Sequence, residues 1–449
     1  MRSLTTVSYL IRGAVVAFVF MIAAGLPFGP GGLSPDPRTA EATLMTEVKK
    51  LLASDASSSD GFGRVAVSGD TAIVASSSSG VSQFKTGAAY IFRRNQGGVN
   101  NWGEVKRLTA SDAANGAGFG VSVAISGDTA LVGAWNPGGM LSGAAYVFQR
   151  DQGGTDNWGE VKKLTASDAS FGVLFGHSLA ISDDTAVIGS FDNAGTGAAY
   201  VYGRDEGGTD NWGEVKKLTA SDADAEDIFV FVGVSGDTII VGAPREDTPA
   251  ADAGAAYVFG RDIGGPDNWG EVTKLTASDA QAGIFFGTSV AVNGETAVVG
   301  AEDLDGLNEG AAYVFERNAG GQDNWGEVAK LTASDGGPGD RFGGAVGVSG
   351  VTVVVGASSK DVEVEGEEED DVNVGAAYVF QEPPPAITPT PTVPPPVGGI
   401  SLDSDLRSLP LETTNPDSAL WGIAVAIVVA ACLLAVGGAA WYGRRRWVN

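Results

Sequence analysis

The chain has 449 residues, with 66 glycines, 55 acidic against 28 basic side chains and a formal charge of −27. That balance excludes nucleic acid as a partner, because a phosphate backbone demands a basic footprint. One cysteine, Cys432, and one histidine, His177, exclude an internal disulfide and a zinc site built from several His and Cys ligands.

At the N-terminus Arg2 and Arg12 precede an apolar run over 13–26, and small residues flank Glu41 in "AEA" at 40–42. This pattern predicts a secretory signal over 1–42. A phrase then returns along the chain: GAAY begins at Gly87, Gly143, Gly197, Gly254, Gly310 and Gly375. A second phrase, L-x-A-S-D or its near form, ends at Asp55, Asp112, Asp168, Asp222, Asp279 and Asp335. Six units of about 56 residues therefore fill 43–382.

Within the second unit, "FGVSVAIS" alternates, with Phe119, Val121, Val123 and Ile125 on one face. A Gly127–Asp128 turn leads into "TALVGA", which is a hairpin signal. "GAAYVFQR" makes a third strand, "DQGGTDN" a glycine-rich turn and "WGEVKKLTA" a fourth strand. No segment of 43–382 has a helical period. Four short antiparallel strands per unit predict the blade of a β-propeller. The array opens with a lone fourth strand, "TEVKKLLAS" at 46–54, and ends with three strands and no fourth. One strand plus three predicts a sixth blade stitched from both ends, which removes free sheet edges.

Beyond the units, "EPPPAITPTPTVPPPVGG" predicts an extended Pro/Thr stalk over 383–418. An uncharged run over 419–442 is long enough for a hydrocarbon core of ~30 Å, with Trp421, Trp441 and Tyr442 as interfacial aromatics. Arg444, Arg445 and Arg446 place the 443–449 tail in the cytoplasm by the positive-inside rule. The expected fold is thus an all-β, six-bladed propeller of four-stranded antiparallel blades, carried outside the cell by one C-terminal transmembrane helix.

The units resemble FG-GAP repeat proteins, the family that includes the integrin alpha-subunit propeller, and are most similar to its prokaryotic secreted branch. The FG pair stands at Phe62-Gly63, Phe119-Gly120, Phe175-Gly176, Phe286-Gly287 and Phe342-Gly343, with Ile228-Phe229 in its place in the fourth unit. A full GAP occurs at Gly242, Ala243 and Pro244. The resemblance implies a propeller, though integrin propellers have seven blades. It also implies calcium in the first hairpin of some blades. Here that turn is only SGD or NGE, too short to surround Ca²⁺ with six to eight oxygens.

The six copies also compare with one another. The SGDT and GG-x-DNWGEV turns hardly vary and share one face of a propeller. The loops between second and third strands, on the other face, differ in every unit, and individual binding belongs on such loops. Candidate ligand contacts there are Trp135, Asn136, Phe191, Asp192, Arg245, Glu246 and Asp247. Glu302, Asp303, Asp305, Asn308 and Glu309, with Gly306 for the bend, form a candidate Ca²⁺ loop, with a solvated acidic loop as the competing reading. The run at 361–371 holds eight acids, a self-repelling block. The ASD aspartates read as turn caps, or as a ring of carboxylates at the mouth. Trp102, Trp158, Trp212, Trp269 and Trp325 read as blade packing rather than sugar stacking. His177 reads as structural, and no nucleophile or phosphate-loop motif accompanies it.

The expectation is a single-pass cell-surface binding or adhesion module, not an enzyme, with no certain cofactor beyond candidate Ca²⁺. Its expected partners are an extracellular glycan or protein and the membrane. The alternatives are an extracellular hydrolase or lyase using rim carboxylates, and a purely structural envelope protein.

Overall fold

The computed structural model describes residues 49–55, 61–77, 86–137, 141–192, 194–303, 308–360 and 375–381. The expected signal, stalk, membrane helix and tail lie outside them. The described residues form a six-bladed β-propeller. Blade one runs β1 (Phe62–Ser68), β2 (Thr71–Ser76), β3 (Ala88–Arg93) and β4 (Gly103–Leu108), each antiparallel to the next. Blade two holds β5 (Phe119–Ser126), β6 (Thr129–Ala134), β7 (Ala144–Gln149) and β8 (Gly159–Leu164). Blade three holds β9 (Ser178–Ser182), β10 (Thr185–Ser190), β11 (Ala198–Gly203) and β12 (Gly213–Leu218). Blade four holds β13 (Phe231–Ser235), β14 (Thr238–Ala243), β15 (Ala255–Gly260) and β16 (Gly270–Leu275). Blade five holds β17 (Phe286–Asn293), β18 (Thr296–Ala301), β19 (Ala311–Glu316) and β20 (Gly326–Leu331). Blade six has three strands, β21 (Phe342–Ser349), β22 (Thr352–Ala357) and β23 (Ala376–Gln381).

The second strands of blades two, three and four, β6, β10 and β14, are buried at every residue, because both faces of their sheets are covered by neighbouring blades. This is why TALVGA and TIIVGA are nearly all apolar. In each blade a phenylalanine meets two rings of the third strand edge to face. Phe119 lies 5.5 Å from Tyr146 and 6.1 Å from Phe148, and Phe286 lies 5.4 Å from Tyr313 and 5.9 Å from Phe315. Trp158, Trp212, Trp269 and Trp325 are buried between blades, as expected of packing residues.

The FG and GA phrases are the two halves of a joint. The backbone of Phe175-Gly176 lies against Gly133 and Gly143 of the preceding blade so closely that a Cβ on either glycine would overlap a carbonyl oxygen. Phe286-Gly287 meets Gly242 and Gly254 in the same way, and Phe342-Gly343 meets Gly300 and Gly310. Gly143 and Phe175 form a parallel bridge there, as do Gly254 and Phe286. Blade four corrects the expected alignment. Phe229 takes the phenylalanine seat, 5.5 Å from Tyr257, and Val230 presents its carbonyl to Gly189 where other blades use the FG glycine. One residue fewer follows it than follows Phe119, Phe286 or Phe342, and β13 pairs with β14 without the register shift that β5, β17 and β21 show, as β9 also does with β10.

The expected lone strand is also corrected. Residues 49–55 are not a strand, and the sixth sheet has three strands. The rest of the 46–54 segment lies outside the described residues. What positions 49–55 is the side chains of blade one: Lys49 Nζ donates to Asn101 Oδ1 at 3.2 Å, and Ser54 N and Oγ donate to Glu104 at 2.8 and 2.9 Å. A cavity of about 630 Å³ lies between β20 and β23, lined by Val328, Leu331 and Phe380, where every inner blade buries its tryptophan and blade six has none.

Candidate functional site

The constant phrases turn out to be one another's partners. Ser111 of an ASD donates from N and Oγ to both oxygens of Glu160 in the next fourth strand, each at 2.8 Å. Ser167 does so to Glu214, Ser221 to Glu271 and Ser278 to Glu327. The ASD aspartates are more than turn caps. Each accepts the GAAY tyrosine hydroxyl, at 2.6 Å for Tyr200 on Asp168 and 2.8 Å for Tyr313 on Asp279. In the first five blades a fourth-strand cation completes the triad, with Lys217 Nζ 2.6 Å from Asp168 and Lys330 Nζ 2.6 Å from Asp279. The Lys217 ammonium and Tyr200 hydroxyl hold Asp168 below the usual carboxylate range, and Lys330 and Tyr313 do the same for Asp279. Burial and the aspartate push the tyrosines up. On the opposite face, the SGD aspartates take arginines of the third-to-fourth turns, with Arg261 Nε 2.6 Å from Asp237.

The loops between second and third strands lie beside the connections that carry the chain from one blade to the next. Arg245 N donates to Asp227 O, Glu226 N to Ala194 O and Asn136 N to Ala117 O. Together they form one rim. Trp135 lies over Gly118, which has φ of +64° and no room for a side chain, and the indole is 41 % exposed. Asn136 Oδ1 accepts the Leu141 N–H at 3.0 Å, closing its own loop. Asp247 Oδ1 accepts the Asp252 N–H at 2.9 Å in the same five-residue staple. Arg245 and Asp247 are exposed, whereas Phe191 and Asp192 are half-buried. Glu246 faces inward: it is buried, with Lys274 Nζ at 2.7 Å and the Thr248 N–H at 3.0 Å.

In the candidate Ca²⁺ loop, Asp303 is buried and its Oδ2 accepts the Asn308 N–H. Glu302 pairs with Arg341 at 3.6 Å, and burial pushes its carboxyl up against the pull of that guanidinium. Asp305 lies outside the described residues. Among the described residues no three acidic, histidine or cysteine side chains stand close enough to hold a metal.

His177 packs edge-on against Phe191 at 4.6 Å and Phe231 at 6.0 Å. Burial first, then the charge of Arg64, lowers its pKa. Its Nδ1 has no partner among the described residues.

Six joined blades with an invariant scaffold face and a varied rim define a β-propeller of the binding or structural class. The FG-GAP repeat family model matches residues 45–92, 102–148, 158–202, 212–259, 269–315 and 325–380, and the chain belongs to that family. No curated protein matches it. Among solved structures it is similar to the β-propeller domain of the Trilobed protease from Pyrococcus furiosus, at 10% identity over 71% of this chain and 82% of that one, with a TM-score of 0.41. It is also similar to Sqt1 from Chaetomium thermophilum, at 15% identity over 68% of each chain, with a TM-score of 0.40.

Proposed function

We propose that the chain is a membrane-anchored cell-surface binding or adhesion module whose varied rim takes an extracellular glycan or protein. One observation carries the reading. The polar side chains that repeat in every unit are committed to joints between blades, while those that differ, including Trp135, Arg245 and Asp247, stand exposed together on one rim. Loops held by a rigid scaffold are where individual recognition is built at least expense to stability. A large exposed indole beside exposed charges is the side-chain mix that anchors an interface.

The test displays the full-length chain against arrays of glycans and matrix proteins. The control replaces the six loops 77–86, 135–142, 191–196, 244–253, 302–309 and 358–374 by Gly/Ser linkers. The reading expects binding that the control loses while it still melts cooperatively. Binding that survives loop replacement would move the site off the rim. Silence of the intact chain across both arrays would favour a structural envelope role.

A further inference from the structure

We infer that the open faces of blade one and blade six are the two halves of a sixth joint, made head to tail between copies of this chain. The inference goes beyond recognition at the rim and needs no rim ligand.

Each blade meets the next with the same positions. Blade one turns Ile73 and Ile91 toward blade two, and both are fully buried there. Their equivalents in blade six, Val354 of β22 and Val379 of β23, are 39 % and 55 % exposed. Blade two receives blade one with Val123 and Ile125, and Ile125 is buried. Their equivalents in blade one, Val65 and Val67 of β1, stand exposed. Gly356 holds the position of Gly242 and Gly300, which lie against the FG glycine of the following unit. One chain therefore carries an unused half of each kind while its five internal joints are made. A contact between such unlike faces is heterologous, so it builds a ring or a filament of copies.

The open sheet edge fits the same contact. Among the described residues β23 has no fourth strand beside it. Leu51 and Ala53 pack against Tyr90 and Phe92 of blade one, as Leu108 and Ala110 pack against Tyr146 and Phe148 of blade two. Docking blade one onto blade six of another copy brings residues 49–55 to the free edge of β23. Such an edge takes an extended segment through main-chain hydrogen bonds.

Charge selects the pairing. Residues 56–110 hold six basic against three acidic side chains, unlike any other unit, whereas 336–382 hold ten acidic against two basic. Opposite signs steer unlike faces together and hold like faces apart. One bond is missing from the proposed joint. Ser122 and Ser289 donate to the FG glycine carbonyl of the next unit at 2.7 Å, and blade six has Ala345 at that position. Without that bond or a covalent tether, the joint between copies is weaker than the internal ones and depends on concentration.

The experiment uses the full-length chain in detergent, with Cys432→Ser so that introduced thiols act alone. In internal joints Ser68 Oγ accepts the Gly127 N–H at 3.0 Å and Ser126 Oγ the Asp183 N–H at 3.1 Å, which pairs Ser349 with Gly69 across the proposed joint. Asp183, with φ of +50°, shows that this turn position accepts a side chain. A mixture of Ser349→Cys and Gly69→Cys chains, treated with a short bis-maleimide, should give a covalent dimer. Either variant alone should give about tenfold less, and adding Gly356→Ala to the Ser349→Cys chain should lower the dimer about tenfold. Gly356→Ala leaves the melting temperature of the dilute protein unchanged, so its effect reports the joint. A chain carrying both cysteines that links internally, while the mixture gives no dimer, would show the ring closing on itself and overturns the inference. No link in either sample, or equal dimer from each variant alone, overturns it too. If a cysteine variant fails to fold, sedimentation decides. Wild type should associate as concentration rises and dissociate in salt, and Gly356→Ala should not associate; equal behaviour of the two overturns the inference.

Discussion

The joints inside the array and the two edges at its ends are made of the same residues and differ in whether the halves meet. Between blades four and five, Gly242 and Gly254 lie directly under the backbone of Phe286-Gly287. At the ends, a Cβ at Gly63 of blade one would meet nothing within 4 Å among the described residues, and one at Gly356 of blade six would meet only Ala345 of its own blade. Val65 and Val67 of β1 are accordingly 68 % and 67 % exposed, whereas the strands between are covered on both sides. The lesson is that FG and GA are not local structural signals. They are the matched surfaces of a contact between consecutive units, and glycine is required only where the contact is made.

The sharpest way to break this comparison is a single methyl group at two equivalent positions. Gly242→Ala should destabilise the protein by about 2 kcal/mol in urea unfolding, since its Cβ would overlap the Gly287 carbonyl. Gly356→Ala should be neutral or stabilise by up to ~1 kcal/mol, because its nearest contact is the Ala345 Cβ at 3.4 Å and alanine loses less entropy in a strand. Equal damage at both positions would mean that the blade-six edge is covered in solution.

A smaller effect is expected at the triads. Tyr200→Phe removes the hydroxyl from Asp168 and should cost about 1 kcal/mol. The same aspartates set the acid limit. Their native pKa values are lowered by the lysine and tyrosine bonds, as for Asp168 and Asp279. The unfolded chain then binds more protons, so this stability is fully present above the ordinary carboxylate range near pH ~3.9 and disappears as pH falls through the lower native values. Unfolding midpoints measured across that range should fall more steeply for wild type than for Tyr200→Phe. Smallest of all, Val65→Ser should change stability by under ~0.5 kcal/mol, because an exposed side chain of β1 has little packing to lose.

Much of this was legible in the chain. Period, strand alternation and the SGD turns specify six blades, and the recurrence of tryptophan before GEV points to packing. The partners of the constant phrases were not legible. Ser111 and Glu160 stand 49 residues apart, and nothing local in ASD or GEV marks one as the acceptor of the other. Phe229 was misplaced for a related reason: the blade keeps the aromatic seat and drops a residue after it, which pattern matching absorbs by shifting the motif. The lone N-terminal segment matched a fourth strand in its letters, and Lys49 and Ser54 bond to blade one as Lys106 and Ser111 of the β4 segment bond to blade two, although 49–55 is not itself a strand. On the rim, Glu246 and Asp303 read as surface acids, and only burial shows that both face inward.

The central claim is that recognition belongs to the varied rim and scaffolding to the constant face. With a partner in hand from the arrays, its affinity for two triple variants tests this most directly. One removes Trp135, Phe191 and Arg245 from the rim, and the other removes Asp128, Asp184 and Asp237 from the constant turns, all as alanine. The account predicts at least a tenfold loss of affinity for the rim variant and less than a twofold change for the other. The reverse order, with both variants folded, would contradict it.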